Sequence, residues 1–494
     1  MHEILFALPM AIVAIGAFVL MIVSPSKKIK LGTINLIALL FLTLSFVVNY
    51  FTFNNNTPHF LFANIFRNSF IIDDFAHIFD LIFSAGAILT LLINNNYLKN
   101  RKYFNGEYFA LVLLSVFGMM MLSHAHELLT VFIALEIASI SIYALVGYHK
   151  NKRASQEAMM KYLVLGSLNG LFFMLGTAMI YGAVGSTSLT DISIYTHAHN
   201  IQDMKLLMVG ASFLMVTILF KIGAVPFHSW VIDVYHGAPY PVTMFMASTF
   251  KIAIFAITLR LYLVDFYSVN SFWTQMLQAI TIMTLIGGSW IAINQKLIKR
   301  MLAGSSIVHS GYLLIALSSI GLNSELAAPA LMFYLIVYFI SAVGAFGILS
   351  FIASDSKYQM SYEDFKGFAD TRPYMALMMS IFMLSLAGFP STIGFLGKFY
   401  IFTSAIESGQ ILLAGLGILI AFISVYYYFK LIAMMYFYKS DQERKRFPIT
   451  RSTILIAIMA LIVIWGGIGT TLIPFIPGAD GFIEIAKGAI NSLS

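Results

Sequence analysis

Five charged side chains and one histidine stand inside long apolar runs. Glu136 lies in the middle of TVFIALEIASISIYAL, Lys251 stands in STFKIAIFAITL and His309 in SSIVHSGYLLIAL. Lys221 heads KIGAVPFHSW, Lys398 ends LSLAGFPSTIGFLGK, and Lys161 follows Glu157 by one helical turn. An ammonium taken out of water gives up its proton more readily, and a carboxylate beside it holds the proton on. Lysine and glutamate in such places are suited to reversible proton binding, and each lysine costs about 2.5 to 3.5 kcal/mol at a helix centre on insertion scales. Some have blander roles. Arg260 and Lys430, close to the ends of their runs, are expected to snorkel to the interface. Lys161 is either a plain i,i+4 partner of Glu157 or a relay member. His309 is either a relay member or a neutral imidazole bonded to a neighbouring serine. Lys251 and Glu136 cannot snorkel.

The elements that position these groups follow from composition. Of 494 residues 60% are hydrophobic and 10% charged, whereas soluble domains are nearer a quarter charged. Apolar runs of about twenty residues, enough for a helix to cross hydrocarbon, recur along the whole chain. The sequence therefore predicts an all-α polytopic membrane protein. Fourteen spans are expected, beginning near Glu3, Leu31, Asp73, Glu107, Glu127, Gln156, Lys205, Tyr240, Ser271, Ile298, Glu325, Pro373, Gln410 and Arg451. With that count, twenty lysines and arginines fall in the loops of one face, among them Lys27, Lys99, Lys152, Arg300, Lys357 and Lys445, and three (Arg67, Lys205, Lys487) in those of the other. Positive charge marks the cytoplasmic side, so both termini are placed on the opposite, periplasmic side. The formal charge of +7 is thus a matter of orientation and not of nucleic-acid binding.

Several chemistries are excluded. With no cysteine there is no disulfide, thiolate-bound metal or iron-sulfur cluster. No G-x-G-x-x-G follows a strand and no P-loop lysine is present. The pairs His124 with His126 and His228 with His236 fall near the membrane surfaces and read as loop polarity. Asp80 is the only other acid well inside a span, too little for a hard-cation cage.

Two spans should be broken. The apolar segment from Leu206 to about His236 is longer than one span and contains Pro226; Pro390 interrupts the twelfth span between Gly388 and Gly394. Backbone freed in this way is tolerated only where protein or a wet cavity satisfies it. Spans seven and twelve are five apart and run in opposite directions, the mark of an inverted-topology repeat with ion sites at the midplane. The expected division is 1–106, an N-terminal three-helix segment; 107–265, spans four to eight; 266–438, the inverted repeat in spans nine to thirteen; and 439–494, the last span and tail.

The stretches PFHSWVIDVYHGAPYPVTMFMASTFKIAIF, KRMLAGSSIVHSGYLLIAL and MLSLAGFPSTIGFLGKFYIF closely resemble the antiporter-like, proton-translocating membrane subunits of bacterial NADH-quinone oxidoreductase, respiratory complex I. The similarity runs from about Glu107 to Lys430, and DVYHGAP with a lysine at 398 resembles the N branch of that family more than the M or L branches. The resemblance implies proton transfer through Glu136, Lys221, Lys251 and Lys398, with His309 and Lys161 as relay members. It also implies a drive from quinone reduction elsewhere in the complex. No cofactor is expected in this chain; NADH, FMN, iron-sulfur clusters and quinone belong by the same resemblance to partner subunits. The partners implied are the M-type subunit, small membrane subunits such as K, and lipid, in a bacterial inner membrane. The alternatives are an Mrp-type cation/proton antiporter subunit, a membrane subunit of an energy-converting hydrogenase, and a scaffold that only anchors redox partners.

Overall fold

The computed structural model describes residues 2–25, 29–53, 60–62, 69–101, 103–265, 270–322, 324–355, 360–439, 450–471 and 478–493. Of the loop cations that orient the chain, Lys27, Lys28, Arg67, Lys102, Lys357, Arg444, Lys445 and Arg446 lie outside these residues.

The chain is a helical bundle: α1 (His2–Val23), α2 (Leu31–Phe53), α3 (Asp74–Ile93), α4 (Asn95–Asn100), α5 (Glu107–His124), α6 (Leu128–Val146), α7 (Arg153–Val184) and α8 (Leu189–Ala198) come first. They are followed by α9 (Lys205–Ile222), α10 (Val231–Gly237), α11 (Tyr240–Phe245), α12 (Lys251–Arg260), α13 (Asn270–Ile293), α14 (Ile298–Ser319) and α15 (Ala327–Asp355). Last are α16 (Phe368–Thr371), α17 (Pro373–Ala387), α18 (Ile393–Glu407), α19 (Ile411–Phe437), α20 (Arg451–Gly467) and α21 (Ala479–Asn491). Two short strands, β1 (Phe60–Phe62) and β2 (Ile71–Asp73), pair antiparallel before α3. Among the described residues eleven helices are long and apolar enough to cross a membrane, and three shorter apolar segments, Ala7–Val23, Pro373–Ala387 and Arg451–Gly467, stand where spans one, twelve and fourteen are expected.

The bundle has an inside and a lipid face. The continuous span Tyr240–Leu263 runs through α11, the π-turn Met246–Phe250 and α12; its apolar stretch and that of α14 are wholly buried, and that of α15 is nearly so. Around them α1, α2, α7 and α19 expose large apolar side chains such as Phe18, Leu40, Leu171 and Phe422. A helix apolar all round belongs in the centre or in lipid; the polar residues in the middle of α12, α14 and α15 then face only protein.

Both expected breaks are present. Helix α9 stops at Gly223, φ +73°, and α17 at Gly388, φ +81°. The two ends close alike. Gly223 N–H donates to Phe220 O and Ala224 N–H to Leu219 O; Gly388 N–H donates to Ser385 O and Phe389 N–H to Leu384 O. These are Schellman turns, which satisfy the last carbonyls of a helix and need a residue tolerant of positive φ.

One expectation is overturned. Arg260 does not snorkel: it is 2% exposed, and its guanidinium grips Asp73 through Nη1–Oδ2 at 2.7 Å and Nη2–Oδ1 at 3.0 Å. Asp73 is also the N-cap of α3, accepting from Ala76 N–H at 2.8 Å. An arginine near a helix end finds a planar bidentate acceptor inside the bundle, which the sequence of its own helix does not reveal. Lys430 is half-buried, with Nζ 4.6 Å from the centre of the ring of Tyr362, between α15 and α16.

Candidate functional site

Helix α6 presents Glu136, Ser139 and Tyr143 at i, i+3 and i+7, so they form one stripe. Lys221, in the last turn of α9, meets this stripe. Its Nζ donates to Ser139 Oγ at 2.8 Å and Tyr143 OH at 2.9 Å. Glu136 itself is half-buried and forms no ion pair with Lys221; its Oε1 is buried without a hydrogen-bond partner and points toward Gly170 of α7. The ammonium thus meets the stripe at Ser139 and Tyr143 and does not pair with the carboxylate.

The carbonyls freed at the α9 break are covered from two directions. Trp230 Nε1–H donates to Phe220 O at 3.0 Å, and Ser310 Oγ–H donates to Ile222 O at 2.8 Å. Ser310 has a second task. It accepts from Lys251 Nζ at 3.0 Å, while Lys251 also donates to Ser306 Oγ at 2.5 Å and Ser306 O at 2.8 Å. Serine 310 therefore ties the residue next to Lys221 to Lys251, across α9, α14 and α12. The three N–H bonds of an ammonium all have acceptors here, and two of these are hydroxyls that can also serve a neutral amine.

Beyond Lys251 the path is aromatic. The Tyr338 ring lies 5.7 Å from Lys251 Nζ and 4.8 Å from the His309 ring. His309 is bonded at Nδ1 to Tyr334 OH, 2.7 Å, and at Nε2 to Tyr428 OH, 3.1 Å. Its partners are tyrosines and not the neighbouring serine. A phenol can donate or accept, so either tautomer of the ring is satisfied. Lys398 closes the row: Nζ lies 4.8 Å from the Tyr312 ring centre and donates to Leu386 O at 2.9 Å and Ala387 O at 2.8 Å. It caps the broken end of α17 with its own side chain, which passes so close to Gly388 that a Cβ there would stand 2.8 Å from Lys398 Cδ.

Lys161 is elsewhere. Its side chain is 42% exposed and pairs with Glu157 and Asp233, each at 2.9 Å, with Arg300 3.6 Å from the other oxygen of Asp233. The structure joins Lys221, Lys251, His309 and Lys398 into one enclosed row and leaves Lys161 in a surface ion cluster.

Sequence reasoning passed over the hydroxyls and phenols that connect the charges. Their spacing was the available signal: Ser306 with Ser310 and Tyr334 with Tyr338 are i,i+4 pairs on helices with no lipid face. It also misplaced His124. This residue is 2% exposed, bonded through Nε2 to Asp80 Oδ2 at 3.1 Å and through Nδ1 to Ile71 O at 2.8 Å. Asp80 in turn accepts from Ser123 Oγ at 2.9 Å, and Ser123 O accepts from Arg260. Among the described residues no group of three or more histidine, aspartate or glutamate side chains could hold a metal ion.

A family model described as NADH:quinone oxidoreductase/Mrp antiporter, transmembrane, matches residues 125–424, which include every member of the row. A protein of Trichlorobacter lovleyi named NADH-quinone oxidoreductase subunit N is 36% identical over 426 residues, 86% of this chain and 85% of that one. A chain of respiratory complex I from Thermus thermophilus, solved with bound aureothin, superposes with a TM-score of 0.77 at 28% identity, covering 93% of this chain and 96% of that one. A chain of the Mrp complex from Dietzia shares the fold at a TM-score of 0.84 and 17% identity, covering 99% and 97% of the two chains. On the long family match and on identity sustained over most of its length, this chain belongs to the NADH:quinone oxidoreductase/Mrp antiporter membrane family.

Proposed function

We propose that the chain is a proton-translocating membrane subunit of a bacterial NADH-quinone oxidoreductase, and that protons pass along Lys221, Lys251, His309 and Lys398. The observation that carries the reading is the enclosed row itself: three lysines and a histidine, each buried, with hydroxyls of Ser310, Ser306 and tyrosines between them. Glu136 acts as the gate. When its carboxylate closes on Lys221 the ammonium is held charged; in the open arrangement the proton is free to leave toward Lys251. The cost of about 2.3 kcal/mol per charge for each 100 mV is met from quinone reduction in other subunits. NADH, FMN, iron-sulfur clusters and quinone are assigned to those partners. The two Schellman breaks support the division into repeats over 107–265 and 266–438, and the loop charges support periplasmic termini and the inner membrane.

The test is made on the assembled complex in vesicles. Glu136→Gln and Lys221→Ala should each remove most proton uptake per electron pair with assembly kept. Normal pumping by Lys221→Ala would overturn the reading. The same preparation separates the relatives, since NADH-quinone activity, hydrogen evolution and sodium transport are measured on one sample.

A further inference from the structure

At the ends of the helices where loop cations gather, a cavity of about 440 Å³ opens among Arg101, His149, Lys152, His236 and Lys299. Its size falls in the range of small-ligand sites, about 300 to 1,000 Å³. Three cations and two imidazoles line it, and among the described residues no carboxylate does. Two acids that act on its lining are engaged: Asp233 with Lys161 and Arg300, and Asp364 with Ser361 N–H and Oγ–H, both at 2.8 Å.

The arrangement costs free energy as it stands. Lys299 is 3% exposed; its Nζ donates to Ala238 O at 2.6 Å and lies 4.3 Å from the Tyr240 ring centre, and among the described residues it has no counter-ion. A buried charge is tolerated when it is paired. Arg101 donates from Nη2 to Ala353 O at 2.6 Å, yet its Nε is buried without a hydrogen-bond partner, as is Nδ1 of His236. His149, in the loop before α7, stacks on Tyr103 at 4.0 Å, and its basicity is lowered by burial first and then by Lys152 and Arg101.

We propose that this cavity binds a phosphate-bearing anion: the headgroup of an acidic lipid or a free phosphate. The guanidinium fork of Arg101 matches two phosphate oxygens, Lys152 and Lys299 supply point charges, and the tyrosine rings wall the ligand. Basic pockets between helices on the cytoplasmic side are suited to lipid headgroups.

Because the chain has no cysteine, Leu297→Cys, at the cavity wall, is a clean reporter. The complex in maltoside detergent is treated with a water-soluble maleimide, and labelling of this chain is followed with inorganic phosphate, with short-chain phosphatidylglycerol, or with chloride at equal ionic strength. Either phosphate compound should slow labelling several-fold where chloride does not. Protection by the lipid alone assigns a headgroup; protection by inorganic phosphate assigns the free anion. Lys152→Gln, an exposed change with little bearing on folding, and Arg101→Gln should each raise the protecting concentration about tenfold, the worth of one charge-assisted hydrogen bond. Labelling that neither compound slows, or protection that both variants leave unaltered, would overturn the proposal.

Discussion

Lys398 has two possible roles that its geometry alone does not separate. Its Nζ caps Leu386 O and Ala387 O, which a permanent cation does as well as an exchangeable one. Proton transfer demands more, because a guanidinium does not release its proton. Lys398→Arg should therefore assemble and pump as poorly as Lys398→Ala, measured as proton uptake per electron pair at equal amounts of complex. Wild-type stoichiometry in Lys398→Arg would reduce Lys398 to a cap and end the path at His309. Arg260 stands at the opposite extreme, permanently charged and sealed against Asp73. Removing one partner of a buried ion pair costs about 3–5 kcal/mol. Arg260→Gln should lower the thermal midpoint of the assembled subunit, and an unchanged midpoint would mean that Asp73 finds another donor.

Among the elements, the broken helices carry the design. The two Schellman turns are alike in backbone, but Lys221 precedes its break and Lys398 follows its own, so the repeats place their lysines differently. Gly388 is required twice over, by φ +81° and by the Lys398 side chain against it; Gly185 shares the conformation, φ +79°, with nothing within 4 Å. Left-handed backbone costs a non-glycine residue about 1–2 kcal/mol. Gly185→Ala should lose only that much, whereas Gly388→Ala should also displace Lys398 and suppress pumping. Equal loss of activity in the two variants would show that conformation alone matters at Gly388.

For the whole molecule, topology rests on the segregation of loop cations. A cysteine in place of Lys99, an exposed residue in the last turn of α4, should be labelled by an impermeant reagent from the cytoplasmic side only. Labelling from the periplasmic side would invert the orientation. The enclosed row passes from α6 and α9 through α12 and α14 to α18 and α19.

Much of this was legible in the chain because the bilayer imposes simple rules: spans must be long and apolar, loop cations set orientation, and a lysine in hydrocarbon has a reason to be there. The helix starts, both breaks, and the identity of Glu136, Lys221, Lys251, His309 and Lys398 as unusual residues follow from local pattern. Their connections do not. Whether Arg260 snorkels or meets Asp73, whether His124 is a loop residue or the partner of Asp80, and whether Lys161 lies inside or at the surface depend on residues 44 to 187 positions away or on an exposed helix face. Ser310 has the same character. Nothing in SSIVHSG says that its hydroxyl will bridge Ile222 O and Lys251. Hydrogen bonds reach only about 3 Å, so which groups share them is decided by how the helices pack, and the apolar composition that drives the helices into the membrane carries no record of that choice.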